Sequence, residues 1–148
     1  MSAENKAKAL GIEFRPLEGP KPYLNMASRT GNLIFVSGHV STLKGRLGQD
    51  VSIEAAYQAA REVGIKILQS VRREVSSLDQ VRVIKLLGCV QCTPEFSDQH
   101  LVINGASDLY HEIFGKDGDG YHARSAVGFA ALPTGVAVEV EAIFEIKP

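Results

Sequence analysis

Arg124-Ser125-Ala126-Val127-Gly128-Phe129-Ala130-Ala131-Leu132-Pro133-Thr134-Gly135-Val136-Ala137-Val138-Glu139-Val140-Glu141-Ala142-Ile143-Phe144 contains two β-type runs separated by a Pro-Thr-Gly turn. The turn chemistry predicts that the two runs fold back on each other as an antiparallel hairpin. In the second run Val138, Val140, Ala142, Phe144 and Ile146 fall on one face, and Glu139, Glu141, Ile143 and Glu145 on the other. The first face is expected to meet helices. Arg124 stands at the entrance of the first run and Glu139 inside the second. An arginine keeps its charge, so beside a glutamate in an apolar sheet it can bind a small acid while the carboxylate activates a water.

Upstream, Leu24–Arg29 and Leu33–Val40 flank Thr30-Gly31-Asn32 and read as a hairpin. Ala56, Ala60, Val63, Ile67, Val71 and Val75 recur at steps of three and four. That stripe predicts a long amphipathic helix, with Ser52 as its N-cap and Ser76-Ser77 and Asp79 as its end. Val81–Val90 is rich in β-branched residues and reads as a strand buried on both faces. Val102, Ala106, Leu109 and Ile113 mark a second helix, capped by Ser97 or Asp98 and stopped by Gly115. The following Gly115–Gly120 segment lacks the spacing of a phosphate or calcium loop and is expected to be a flexible turn.

The order β-β-α-β-α-β-β, with antiparallel hairpins at both ends, predicts an α+β fold with a mixed sheet and two helices on one face. The 148 residues fit one domain. Residues 1–22 form its N-terminal extension, helical near Ala3–Leu10 and then a Gly- and Pro-rich loop. The sheet face away from the helices is apolar with a few carboxylates, which predicts an oligomer interface.

The chain carries 16 basic and 17 acidic residues, for a formal charge of −1. They are spread rather than blocked, so nothing marks a nucleic-acid partner. Arg72-Arg73 is the clearest basic cluster and reads as a solvated helix face. No apolar run reaches the roughly 18 residues of a membrane span, and Met1–Lys6 lacks the core of a secretory signal. A cytoplasmic protein is expected. Cys89 and Cys92, three apart in a strand, point to opposite faces and read as structural. His39, His100, His111 and His122 show no metal-ligand spacing.

Arg124-Ser125, Leu132-Pro133 and Val138-Glu139-Val140-Glu141-Ala142-Ile143, together with Pro22-Tyr23, Phe35-Val36-Ser37-Gly38 and Asn104, resemble the signature of the Rid (YjgF) superfamily of reactive-intermediate deaminases. The likeness runs from about Tyr23 to the last strand, in an order and spacing more specific than any single piece. It implies a chorismate mutase-like fold and a homotrimer with the sheets in a central barrel and clefts between subunits. The activity it implies is that of a 2-iminobutanoate/2-iminopropanoate deaminase, hydrolysing 2-imino or 2-enamino acids to 2-keto acids and ammonia. Arg124 matches the arginine that holds the substrate carboxylate and Glu139 the glutamate that activates water. Tyr23, Ser37, Asn104 and the Ala126 backbone match positions lining the cleft. The family needs no cofactor and no metal.

Ala126 stands where many members have cysteine, and His122 where many have proline. With the longer glycine-rich loop, these features resemble a longer branch, some of whose members are labelled endoribonuclease-like. A trimer that binds a small carboxylate without turnover, or an RNA-cleaving enzyme, are the alternatives from other functional classes.

Overall fold

The computed structural model describes residues 1–16 and 19–148. Helix α1 (Ala3–Ala9) precedes strands β1 (Ala27–Thr30) and β2 (Leu33–Val40), helix α2 (Ile53–Val71) and strand β3 (Val81–Gln91). Helix α3 (Gln99–Phe114), strand β4 (Ala123–Phe129) and strand β5 (Val138–Ile146) follow. Ser52 caps α2, its hydroxyl accepting from the Ala55 amide at 3.1 Å. Ala56, Ala60, Val63, Ile67 and Val71 are all fully buried, as the stripe requires. The helix ends earlier than its sequence pattern suggests, at Val71, yet Val75 still packs on the core from the turn beyond.

The five strands form one mixed sheet in the order β1-β2-β5-β3-β4. The terminal hairpin predicted from the Pro-Thr-Gly turn does not exist. Strand β4 pairs in parallel with β3, and β5 pairs antiparallel with β2 on one side and β3 on the other. The connection therefore crosses the end of β3 rather than folding back. Thr134 and Gly135 take left-handed backbone angles there, φ 55° and 75°. The side chain of Gln91, the last residue of β3, fixes the crossing: it accepts from the Leu132 amide at 2.8 Å and donates to the Gly45 carbonyl at 2.8 Å. A buried amide with both ends satisfied holds a loop more firmly than turn propensity can.

Val138, Val140, Ala142 and Phe144 are buried, as the alternation of β5 predicts. On the opposite face Leu33, Phe35, Val127 and Phe129 stay between 36% and 44% exposed. The two cysteines lie on different sides: Cys92 in the main core, Cys89 in a small cluster with Leu132 and Val136. The Gly115–Asp119 segment is a π-helical turn continuing α3. It is tied down by an ion pair between Lys147 and Asp119 at 2.7 Å.

Helices α2 and α3 cross where Gly105 meets the Tyr57 carbonyl, so closely that a Cβ at Gly105 would sit 2.0 Å from that oxygen. Tyr57 Oη donates to Asp108 Oδ2 at 2.5 Å, Arg61 pairs with Glu112 at 3.0 Å, and Tyr110 Oη donates to the Gly64 carbonyl at 3.0 Å. The seam thus aligns α3 along its length.

Arg72-Arg73 is not a solvated face. Arg72 Nε donates to both carboxylate oxygens of Glu4, at 3.1 and 3.3 Å, and its guanidinium lies over the Phe14 ring. Glu4, only 8% exposed, also accepts from the Leu78 amide at 2.8 Å. This carboxylate is what docks α1. Glu4→Ala leaves the Leu78 N–H and a part-buried guanidinium without their acceptor, and is expected to cost about 2 kcal/mol, reduced from the fully buried case by the exposure of Arg72. Urea denaturation of the two proteins measures the difference.

Candidate functional site

Arg124 lies opposite Leu86 in the β3–β4 register, and Leu86 is fully buried beneath the helices. Its side chain accordingly turns toward α3. There Nη1 donates to Ser107 Oγ at 3.0 Å and Nη2 to the His100 carbonyl at 3.3 Å. Among the described residues, two of the five guanidinium N–H groups are used in this way. Ser107 Oγ also lies 2.9 Å from His122 Nε2, and His122 Nδ1 lies 2.6 Å from the Gly120 carbonyl. Burial pulls the His122 pKa below its usual value, against the Gly120 bond, and the nearby His111 and Arg124 add to the fall.

Glu139 pairs with Val40 of β2 and Cys89 of β3. It belongs to the sheet face away from the helices. Strand β2 carries a bulge between Val36 and His39, and at its centre Gly38 makes room for the glutamate: a Cβ there would meet Glu139 Oε1 at 2.8 Å. Burial, and secondarily the Glu141 carboxylate, raise the Glu139 pKa above that of a free glutamate. A raised pKa makes the ionised form a stronger base. The same surroundings push the Cys89 thiol up to about 11, burial first and the two glutamates after, so it is protonated and unreactive at neutral pH.

Within one chain, then, Arg124 and Glu139 occupy opposite faces of the sheet. Ser37 sits in the bulge beside Gly38, its hydroxyl donating to the Asn25 carbonyl at 2.6 Å and its amide to the Met26 carbonyl at 2.9 Å. These bonds anchor Asn25 and Met26 to β2, where the chain around them lines a cavity with Ser70 of α2 and with Arg73 and Glu74 beyond it, and Tyr23 in the same segment is 97% exposed. Ala126 is on the Arg124 side, packed against the core. Asn104 lies on the α3 stripe between His100 and Ser107, but the guanidinium bonds those two and not the asparagine.

Ser107 and His122 were missed. The signal for Ser107 is its spacing of seven from His100, which places both on one stripe; His122 stands out in the sequence by its proximity to Arg124 and as a departure from the proline of many family members.

Residues 16–146 match the family model described as Endoribonuclease L-PSP. The chain belongs to this family, part of the Rid superfamily. Its curated relatives include Protein TCP17 of Trypanosoma cruzi, 35% identical over 145 residues, covering 93% of this chain and 90% of that one. Among solved structures it resembles Atu1372 from Agrobacterium tumefaciens, described as a protein with unknown function. That pair is 38% identical, with a TM-score of 0.86 over 99% of this chain and 92% of the other. The fold also matches E. coli TdcF with bound serine, with a TM-score of 0.54 and 22% identity over 88% of this chain and 91% of that one. The family match begins after α1, so the Glu4-docked helix lies outside it.

Among the described residues, no group of three or more His, Cys, Asp or Glu is placed to hold a metal, and no helix is long and apolar enough to cross a membrane.

A second histidine braces this Rid-family site from below. His39, buried, puts Nδ1 2.6 Å from the Ser37 carbonyl and Nε2 2.8 Å from Ser70 Oγ on α2. Burial lowers its pKa from 6.5, and Lys66 and Arg73 add to the fall against the Ser37 bond. With the folded value below the unfolded one, the unfolded chain binds the proton first as pH falls. The stabilisation from keeping His39 and His122 neutral is therefore complete above pH 6.5 and declines below it, until each folded histidine also protonates. Urea midpoints are expected to drop from pH 7.5 to 5.5, with a shallower slope in His39→Gln.

Proposed function

We propose that this Rid-family protein hydrolyses small 2-imino or 2-enamino acids to 2-keto acids and ammonia, in clefts between the subunits of a homotrimer in the cytoplasm. The carrying observation is the placement of Arg124 and Glu139 on opposite sheet faces, each in a working state. Arg124 has spare donors in a half-buried notch, and Glu139 is a strengthened base beside a glycine. A second copy that packs its β4 side against the exposed apolar face brings the two together.

In such a cleft Arg124 takes the substrate carboxylate in a bidentate pair, which sets orientation as well as charge. Glu139 of the neighbour removes a proton from water as the oxygen bonds to C2 of the iminium. It then returns that proton to nitrogen and takes the remaining hydroxyl proton as the C–N bond breaks and the carbonyl forms, so the 2-keto acid and ammonia are released and the last proton leaves with the ammonia as ammonium. No covalent enzyme intermediate is needed, because the imine carbon is already electrophilic and the protein supplies position and a base. Tyr23, Ser37, the Ala126 backbone and Asn104 shape the walls. TdcF holding serine supports the substrate class, since serine presents a carboxylate one carbon from nitrogen, as a 2-imino acid does.

The test uses an imine generated from an amino acid by an amino-acid oxidase. Glu139→Gln is expected to lower kcat about a hundredfold with little change in KM. Oligomers reassembled from Arg124→Ala and Glu139→Gln chains should regain activity, since some clefts then join an intact arginine to an intact glutamate. Mixed oligomers that stay inactive would rule out the shared cleft. RNA degradation that survives purification and disappears in Arg124→Ala would replace the deaminase reading altogether.

A further inference from the structure

The three bonds around Ser107 have only one consistent direction. The Gly120 carbonyl can only accept, so His122 Nδ1, 2.6 Å away, carries the ring proton. In the neutral ring Nε2 is then a bare lone pair, and Ser107 Oγ, 2.9 Å away, must donate to it. With its proton committed there, the hydroxyl turns its lone pairs to Arg124 Nη1 at 3.0 Å. Ser107 is 5% exposed, so water is in a poor position to take over any of these bonds. The Tyr110 ring, edge-on at 6.4 Å, and the His111 ring, tilted at 5.3 Å, pack against the imidazole.

Resting on the carboxylate-binding role given to Arg124 above, we propose that His122 is a positioning residue that acts through Ser107 to hold the Arg124 guanidinium in the orientation that receives the substrate carboxylate. Neither residue touches the reacting carbon. The pair fixes one edge of the fork, the His100 carbonyl steadies the other amine, and the remaining N–H groups point to the ligand without searching for it. Preorganisation of this kind acts on binding and leaves the water-activation step to Glu139.

The kinetic test separates this from a merely structural role. Ser107→Ala and His122→Ala are each expected to raise KM about tenfold while kcat stays within about threefold. The double variant should be no worse than either single one, because the two residues act as one chain. His122→Gln, whose Oε1 can accept from Ser107 near the place of Nε2, should recover most of the loss. A KM within twofold of wild type in both single variants overturns the proposal, as does a double variant whose effect is the product of the two. Full activity in Arg124→Ala would instead sink the function proposed above. A substrate-independent reading decides the geometry even if no imine is turned over. Nitrogen-15 spectra of the intact protein should show His122 protonated on Nδ1 and a slowly rotating Arg124 guanidinium that becomes free in Ser107→Ala. The opposite tautomer, or a guanidinium indifferent to Ser107, overturns the proposal.

Discussion

Arg124→Ala is expected to lower kcat/KM for 2-imino acid hydrolysis by about a thousandfold while the protein stays folded. The magnitude follows from what the guanidinium supplies. Two charge-assisted bonds to a carboxylate contribute about 1.5–3 kcal/mol each, and a loss of about 4 kcal/mol corresponds to three orders of magnitude. Stability should change little, because Arg124 is half-buried on edge strand β4 and, among the described residues, bonds only Ser107 and one carbonyl. Arg124→Lys should recover little of the loss. An ammonium keeps the charge but not the planar fork, so it cannot hold the substrate carboxylate and the Ser107 hydroxyl in one plane. Steady-state kinetics and urea denaturation of the same preparations check both halves: a large kinetic loss with an unchanged midpoint.

Gly105→Ala is expected to destabilise the protein by about 4 kcal/mol, a large effect for adding one methyl group. At most sites overpacking costs less, because a neighbouring side chain swings aside. Here the obstacle is backbone: the new Cβ would lie 2.0 Å from the Tyr57 carbonyl oxygen and 2.9 Å from its carbon. The helices must separate, and the Tyr57–Asp108, Arg61–Glu112 and Tyr110–Gly64 contacts stretch together. Helix α3 also presents Ser107 and the His100 carbonyl to Arg124, so KM should rise in whatever fraction stays folded. Gly64→Ala, whose Cβ would meet the movable end of Leu109 at 3.0 Å, is the control expected to cost much less.

What the sequence revealed and what it hid divide along the range of the interactions. Ser52 and the α2 stripe were legible because cap and period are local, and the burial of β5 followed from strict alternation. The pairing of β4 was not legible. Its partner β3 lies a whole helix away in sequence, and the crossing depends on Gln91, which bonds both Leu132 and Gly45. In the site, Arg124 and Glu139 stood out as charges in apolar runs. Ser107 did not, since a serine inside a helix looks the same whether it faces solvent or an arginine. His122 stayed hidden because its partner Gly120 is a backbone carbonyl, which leaves no trace in residue type. The solvated reading of Arg72 failed for a related reason: its partner Glu4 lies 68 residues earlier in the chain.

The crossing at Gln91 also has a bearing on how the protein is made. Strand β5 sits between β2 and β3, yet it is the last of the five to leave the ribosome. Until residues 138–146 emerge, β1-β2 and β3-β4 lack the strand that joins them, and any pairing within either leaves an open edge. Such edges invite pairing with other chains. Cooperative closure waits for β5, and with it the delivery of Glu139, so neither the fold nor the base can form before that strand is made.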